Sequence, residues 1–132
     1  MLADISERCD TIEECYEFML AYAAQGLHGE AGRSDGQIRE YLSRATKAIS
    51  GLIESCATAM KQEHFFAVLD RDAHDSLAAI ELVLAQPAIS SQLIDNLNAS
   101  IHLRALLTDL FLLSEIANTQ RRAAKPMALG GS

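Results

Sequence analysis

A few carboxylates and one histidine have the helical spacing at which side chains can share a metal ion. Asp70 and His74 are four residues apart, so on a helix they lie on one face and the carboxylate can orient the imidazole ring. Glu17 lies at the edge of an earlier apolar stripe and offers a third ligand. No Glu-x-x-His motif accompanies them on the inner helices, and the second helix has no inward carboxylate. We therefore expect no metal and no cofactor, and keep a metal site at Glu17, Asp70 and His74 as the alternative.

Polar side chains also recur along the stretch from Gln92 to Thr119, which is the most apolar part of the chain. Projected as one helix at about 100° per residue, they form two narrow seams between two apolar arcs. Asn98 and His102 can touch, whereas His102 and Asp109 are about 10 Å apart by helical rise, so another helix, a water or a ligand must lie between them. We predict that the seams bind a ligand or a partner, or else fix the register of the helices. The first seam contains Asp95, Asn98, His102 and Asp109, and the second contains Arg104, Thr108 and Glu115.

Catalytic chemistry has less support. His74 on a helix resembles the histidine of a helical phosphotransfer domain, but it is not followed by the basic residue and glycine of that family. Cys9 and Cys56 fall within apolar stripes, where thiols are buried and unreactive. No nucleophile and base can be placed within reach of each other from spacing alone. The sequence therefore favours a protein that is not an enzyme.

Four stretches have the apolar periodicity of amphipathic helices, and none alternates as a strand does. Glycines in the stretch 26–34 predict a loop, and Pro87 predicts a turn after which Ser90 or Ser91 can cap a helix. These patterns predict an all-α fold, an antiparallel four-helix bundle with helices at about 3–25, 35–62, 64–85 and 91–119. The domain would cover 1–120, with a flexible tail at 121–132. Whether 35–85 forms two helices or one bent helix is open, because no glycine or proline marks the boundary near 62–64.

The composition narrows the choice of partners. The chain has 132 residues, is 49% hydrophobic and has a formal net charge of −7, so nucleic acid and anionic membranes are unfavourable partners. Three cysteines without a paired motif, and no export signal at the start, indicate a reducing, cytoplasmic setting.

The fourth predicted helix is apolar on two sides and needs cover on both. Three companion helices cover one side, so we expect a partner chain, most simply a second copy, on the other. The sequence thus predicts a homodimeric helical protein that acts through protein association, as an adaptor, chaperone-like or regulatory module. The alternative is a small ligand or metal bound inside the bundle.

Overall fold

The computed structural model of the chain is all-helical, as the sequence predicts. It describes the backbone of residues 2–25, 33–59 and 64–130, and the side chains of 5–25, 35–57, 64–119 and 122. No strand occurs in these ranges. Most of the predicted loop at 26–34 lies outside them. The helices are α1 (Leu2–Ala24), α2 (Arg33–Ala59), α3 (Phe65–Leu84), α4 (Ser91–Ala99) and α5 (His102–Gly130).

Contacts between named residues give the directions of the first three helices. Arg8 near the start of α1 lies against Gly51 late in α2, and Phe18 stacks on Tyr41 with ring centroids 4.2 Å apart. α1 and α2 are therefore antiparallel. Arg39 near the start of α2 reaches the end of α3, so these two helices are antiparallel as well. Residues 35–85 thus form two helices rather than one bent helix, although the boundary itself lies mostly outside the described residues.

Arg39 joins the start of α2 to the end of α3. Its Nε pairs with Asp35 at 2.8 Å, while Nη1 and Nη2 donate to the carbonyl oxygens of Leu84 and Gln86 at 3.1 and 2.8 Å. The last carbonyls of a helix have no partners within the helix, and a cation there also meets the negative end of the helix dipole. One guanidinium therefore fixes the position of two helix ends.

The prediction of one long helix at 91–119 is wrong, because the chain ends one helix at Ala99 and begins another at His102. The N–H of Ser100 donates to the Asn96 carbonyl at 3.0 Å, and Ile101 has a φ of 62°. A residue in this left-handed region commonly ends a helix. The Ile101 carbonyl then accepts the first hydrogen bond of α5, from the N–H of Ala105 at 2.9 Å. The fourth predicted helix is therefore two helices, each with a buried face of its own.

The short helix α4 packs mainly on α1, whereas α5 packs on α3 and α1. Ser90 caps α4 as predicted, with its Oγ accepting a hydrogen bond from the N–H of Leu93 at 3.1 Å. α5 continues past the predicted end at 119 as far as Gly130. Over the described ranges, none of the helices combines the length and hydropathy needed to cross a bilayer.

Candidate functional site

The break between α4 and α5 separates the residues of the first predicted seam. Asp95 and His102 are exposed, Asn98 is half-buried at the end of α4, and Asp109 is buried on α5. Among the described residues, neither polar atom of the Asn98 side-chain amide has a hydrogen-bond partner, so Asn98 does not hydrogen-bond to His102, which the sequence placed within its reach. The prediction of one continuous seam is wrong because Asn98 and His102 belong to different helices.

The buried carboxyl group of Asp109 meets a second acid, Asp72 on α3. Asp109 is 7% exposed, and its Oδ2 has no hydrogen-bond partner among the described residues. Burial comes first among the causes that raise the pKa of Asp109 to about 7, followed by hydrogen bonding to and repulsion from the Asp72 carboxyl. Two carboxyl groups can hydrogen-bond only if one of them holds a proton. Asp109 therefore keeps its proton up to near neutral pH.

A further buried polar group lies one helical turn along α3. Ser76 is 1% exposed and its Oγ has no partner among the described residues. Asp72 and Ser76 are four residues apart and share a face of the helix. Apolar periodicity could not predict either residue, because it selects positions by their hydrophobic side chains. The buried positions are Leu69, Ala73, Ser76, Ile80 and Val83, a spacing that includes the serine.

The second predicted seam faces solvent. Arg104, Thr108 and Glu115 are exposed, so the arginine is not a buried charge that requires a partner within the core. The hydroxyl of Thr108 donates to the Arg104 carbonyl at 2.8 Å, a local contact within α5. The structure therefore brings Asp109 to a buried pair and leaves the second seam on the surface.

Arg104 and Thr108 lie in a groove between α1 and α5 with a volume of about 300 Å³. Two acids of α1, Glu13 and Glu17, share the groove with the arginine. Leu20 and Phe111 are 48% and 46% exposed there. The groove is lined by Glu13, Tyr16, Glu17 and Leu20 of α1 and by Arg104, Leu107, Thr108 and Phe111 of α5. It thus offers apolar surface flanked by charges of both signs.

Apolar side chains are also exposed elsewhere on α5. Seven large hydrophobic side chains of the described residues are strongly exposed, and four of them belong to α5 or immediately precede it. These are Ile101, Phe111, Leu112 and Ile116, exposed by 60%, 46%, 49% and 52%. Three of the four, Ile101, Leu112 and Ile116, belong to one of the two apolar arcs predicted for 92–119. The helix therefore buries one face in the core and leaves apolar side chains on its outer face.

The residues of the alternative metal site lie on separate parts of the molecule. His74 Nε2 is 3.6 Å from Asp70 Oδ1 on α3, as their spacing predicts, whereas Glu17 lines the groove of α1 and α5. Among the side chains that the structure describes, no three histidine, cysteine, aspartate or glutamate residues are grouped so as to hold a metal ion. The fold therefore gives a metal at these three residues no support.

The three cysteine side chains are buried, as predicted for Cys9 and Cys56. Burial is the largest cause that raises the pKa of Cys9 and Cys56 to about 11 and that of Cys15 to about 12. A thiol reacts as the thiolate, so these cysteines are poor nucleophiles at neutral pH.

Comparison with known protein families, with curated proteins and with solved structures finds no match to this chain. Function must therefore be inferred from the residues of the molecule itself.

Proposed function

We propose that the protein acts by association with a second copy of itself, through the outer face of α5 and the groove between α1 and α5. The concentration of exposed apolar side chains on α5 supports this proposal more than any other observation. Apolar surface removed from water stabilises a complex by roughly 25 cal/mol per Å². A contact that covers Phe111, Leu112 and Ile116 therefore has a driving force.

Charge complementarity favours a second copy as the partner. α1 contains six acidic residues and one arginine, whereas α5 contains four basic and two acidic residues. In a dimer with twofold symmetry, any contact from α1 of one protomer to α5 of the other occurs twice. Arg104 of one protomer can then pair with Glu13 or Glu17 of the other. Complementary charges of this kind orient partners and set the salt dependence of association.

Light scattering coupled to gel filtration tests the proposal. Wild-type protein at about 1 to 100 µM is expected to give the mass of a dimer, with dissociation at the low end. Leu112→Glu places a charge on the outer face of α5 and is expected to give a monomer with an unchanged helical circular dichroism spectrum. The matched control is Leu82→Glu on α3, which is 67% exposed and should leave the dimer intact.

A monomeric wild-type protein across the whole concentration range would contradict self-association. Equal dissociation by Leu82→Glu and Leu112→Glu would contradict the assignment of the interface to α5, since both changes add a charge at an exposed leucine. Raising the salt concentration should weaken the dimer if the pairing of α1 with α5 contributes.

A second candidate function is the binding of a small polar ligand between the helices. Polar atoms of Ser76, Asn98 and Asp109, one residue each from α3, α4 and α5, are buried without a partner in the described part of the chain. Buried polar groups are normally satisfied by protein, water or ligand. Native mass spectrometry of the purified protein should show an additional bound mass if a ligand fills this role, and the mass of the chain alone would remove the candidate.

A further inference from the structure

Three cationic side chains line a groove between α1 and α2 that belongs to neither of the sites above. The groove has a volume of about 440 Å³ and lies where α1 packs against α2, whereas the groove described above lies where α1 packs against α5. The chain has 18 acidic residues and 11 lysines and arginines, whereas the three cations here outnumber the acids even when Glu40, which pairs with Arg44, is counted with Glu7. The groove is lined by Glu7, Arg8, Thr11, Arg44, Lys47 and Ala48.

The helical spacing of these residues explains why they meet. On α2, Arg44, Lys47 and Gly51 follow one another at intervals of three and four, so they share the edge that faces α1. On α1, Arg8 and Thr11 are three residues apart and form the opposite edge. Because α1 and α2 are antiparallel, Arg8 lies level with Gly51, and Lys47 and Arg44 follow about one and two helical turns further along the same groove.

The two guanidinium groups are held in place by packing. A Cβ added at Gly51 would lie 2.0 Å from Nη1 of Arg8, so the Arg8 guanidinium fills the space that the glycine leaves open. The guanidinium of Arg44 lies 4.7 Å from the centroid of the Tyr41 ring. Its Nη2 also pairs with Glu40 at 3.0 Å. Cations that are positioned in advance lose less side-chain entropy when they bind a ligand.

We infer that this groove binds a small oxyanion of the phosphate type, with Arg44 and Lys47 as its main ligands. A guanidinium presents two parallel donors to phosphate oxygens, and a lysine adds a mobile point charge. Arg8 contributes a third positive charge from the facing helix. Ala48 is too small to fill the groove, so the oxyanion can approach the surface of α2. Glu40 competes with the oxyanion for Arg44.

Isothermal titration calorimetry with inorganic phosphate tests the inference, against sodium chloride at the same ionic strength. Lys47→Gln and Arg44→Gln should each weaken phosphate binding about tenfold or more, as expected for the loss of a charge-assisted hydrogen bond. Arg71→Gln is the matched control, because it removes an exposed cation of α3 outside the groove and should leave the affinity unchanged. Circular dichroism checks that each variant is folded.

Glu40→Gln gives the sharpest outcome because it is expected to act in the opposite direction. Removal of this carboxylate, which is 66% exposed, frees Arg44 and should tighten phosphate binding several-fold. A folding defect would not strengthen binding. The absence of heat with millimolar phosphate, or equal affinities in wild type, Lys47→Gln and Arg44→Gln, would overturn the inference.

Glycerol phosphate, titrated in parallel, separates two sources of the ligand. Tighter binding of the ester than of inorganic phosphate would indicate a phosphorylated metabolite, and similar binding would indicate the free anion. Both results support an oxyanion site. Because the site uses α2 and α1 rather than α5, its test does not depend on whether the protein dimerises.

Discussion

Ile101 has the least favourable backbone conformation in the described part of the chain. Its φ of 62° is in the left-handed region, which costs an L-residue with a Cβ about 1 to 2 kcal/mol, and a β-branched side chain is disfavoured there most of all. The side chain is 60% exposed and gains little from packing. The conformation persists because Ile101 both ends α4 and begins α5.

Replacing Ile101 with asparagine is expected to stabilise the protein by about 1 kcal/mol, since asparagine tolerates the left-handed region. The measurement is the urea midpoint at low protein concentration. Val68→Asn is the control, because it makes a similar change at a β-branched residue that is 45% exposed within a helix. It should not stabilise. An equal gain in both variants would show that the loss of an exposed apolar side chain, rather than relief of the backbone, is responsible.

At the scale of helices, the packing of α5 on α3 contains an unfavourable pair of like charges. Asp109 and Asp72 face each other, and the Asp72 carboxyl is the neighbouring charge that acts on the pKa of Asp109. Of the other charged groups on these helices, Asp70 pairs with His74, and Arg104 lies in the groove with α1. The attachment of α5 to α3 therefore depends on the proton that Asp109 holds.

The packing of α5 should weaken as the pH rises. Because the pKa of Asp109 is raised above its usual 3.8 to about 7, the folded chain keeps a proton that the unfolded chain loses. The stabilisation is complete below about pH 4 and is lost as the pH rises through about 7. Urea midpoints are therefore expected to fall between pH 5 and pH 8, by at least about 1 kcal/mol in the free energy of unfolding.

Asp109→Asn tests the origin of this pH dependence. The amide stays neutral and can donate to Asp72, so the variant should lose most of the slope and be more stable than wild type at pH 8. Asp95→Asn, which neutralises an exposed carboxylate on α4, is the control and should keep the wild-type slope. If Asp109→Asn also kept that slope, another group would have to carry the proton.

The five helices also show where prediction from sequence succeeds and where it fails. The stripes of α1, α2 and α3 predict their helices because each buries one face. The boundary between α4 and α5 could not be predicted from glycine or proline, since the residue with positive φ is an isoleucine. Asn96, Asn98 and Ser100, which disfavour helix, were the available cue.

Interhelical pairing could not be predicted for a different reason. Sequence spacing places Asp109 in a polar seam between apolar arcs but does not indicate which helix packs against it. Asp72 becomes its neighbour only through the packing of α3 on α5. The grooves on either side of α1 depend in the same way on which helices flank it. Individual helix faces could therefore be read from the sequence, whereas sites shared by two helices required the fold.

At the scale of the whole molecule, one cluster of buried residues connects all five helices. Its three thiols lie in different parts of the cluster: Cys9 and Cys15 are on α1, and Cys56 is near the end of α2. Arg39 and Tyr22 add polar links at one end, where the Tyr22 hydroxyl donates to the Ile89 carbonyl. A core shared in this way is expected to open as one cooperative unit.

The reactivity of the three native cysteines can be used to measure this cooperativity. With pKa values of about 11 to 12, fewer than about one in a hundred thiols is ionised at pH 8, and burial blocks the reagent as well. An aromatic disulfide should therefore react slowly with native protein, in a single phase that consumes all three thiols.

If opening of the core is global, the rate of this thiol reaction should rise with urea as the unfolding rate does. Mass spectrometry of partly reacted samples should show chains with no modification or three modifications and few between. Early modification of Cys56 alone would instead show that the end of α2 opens separately, and would divide the cluster into two units of different stability.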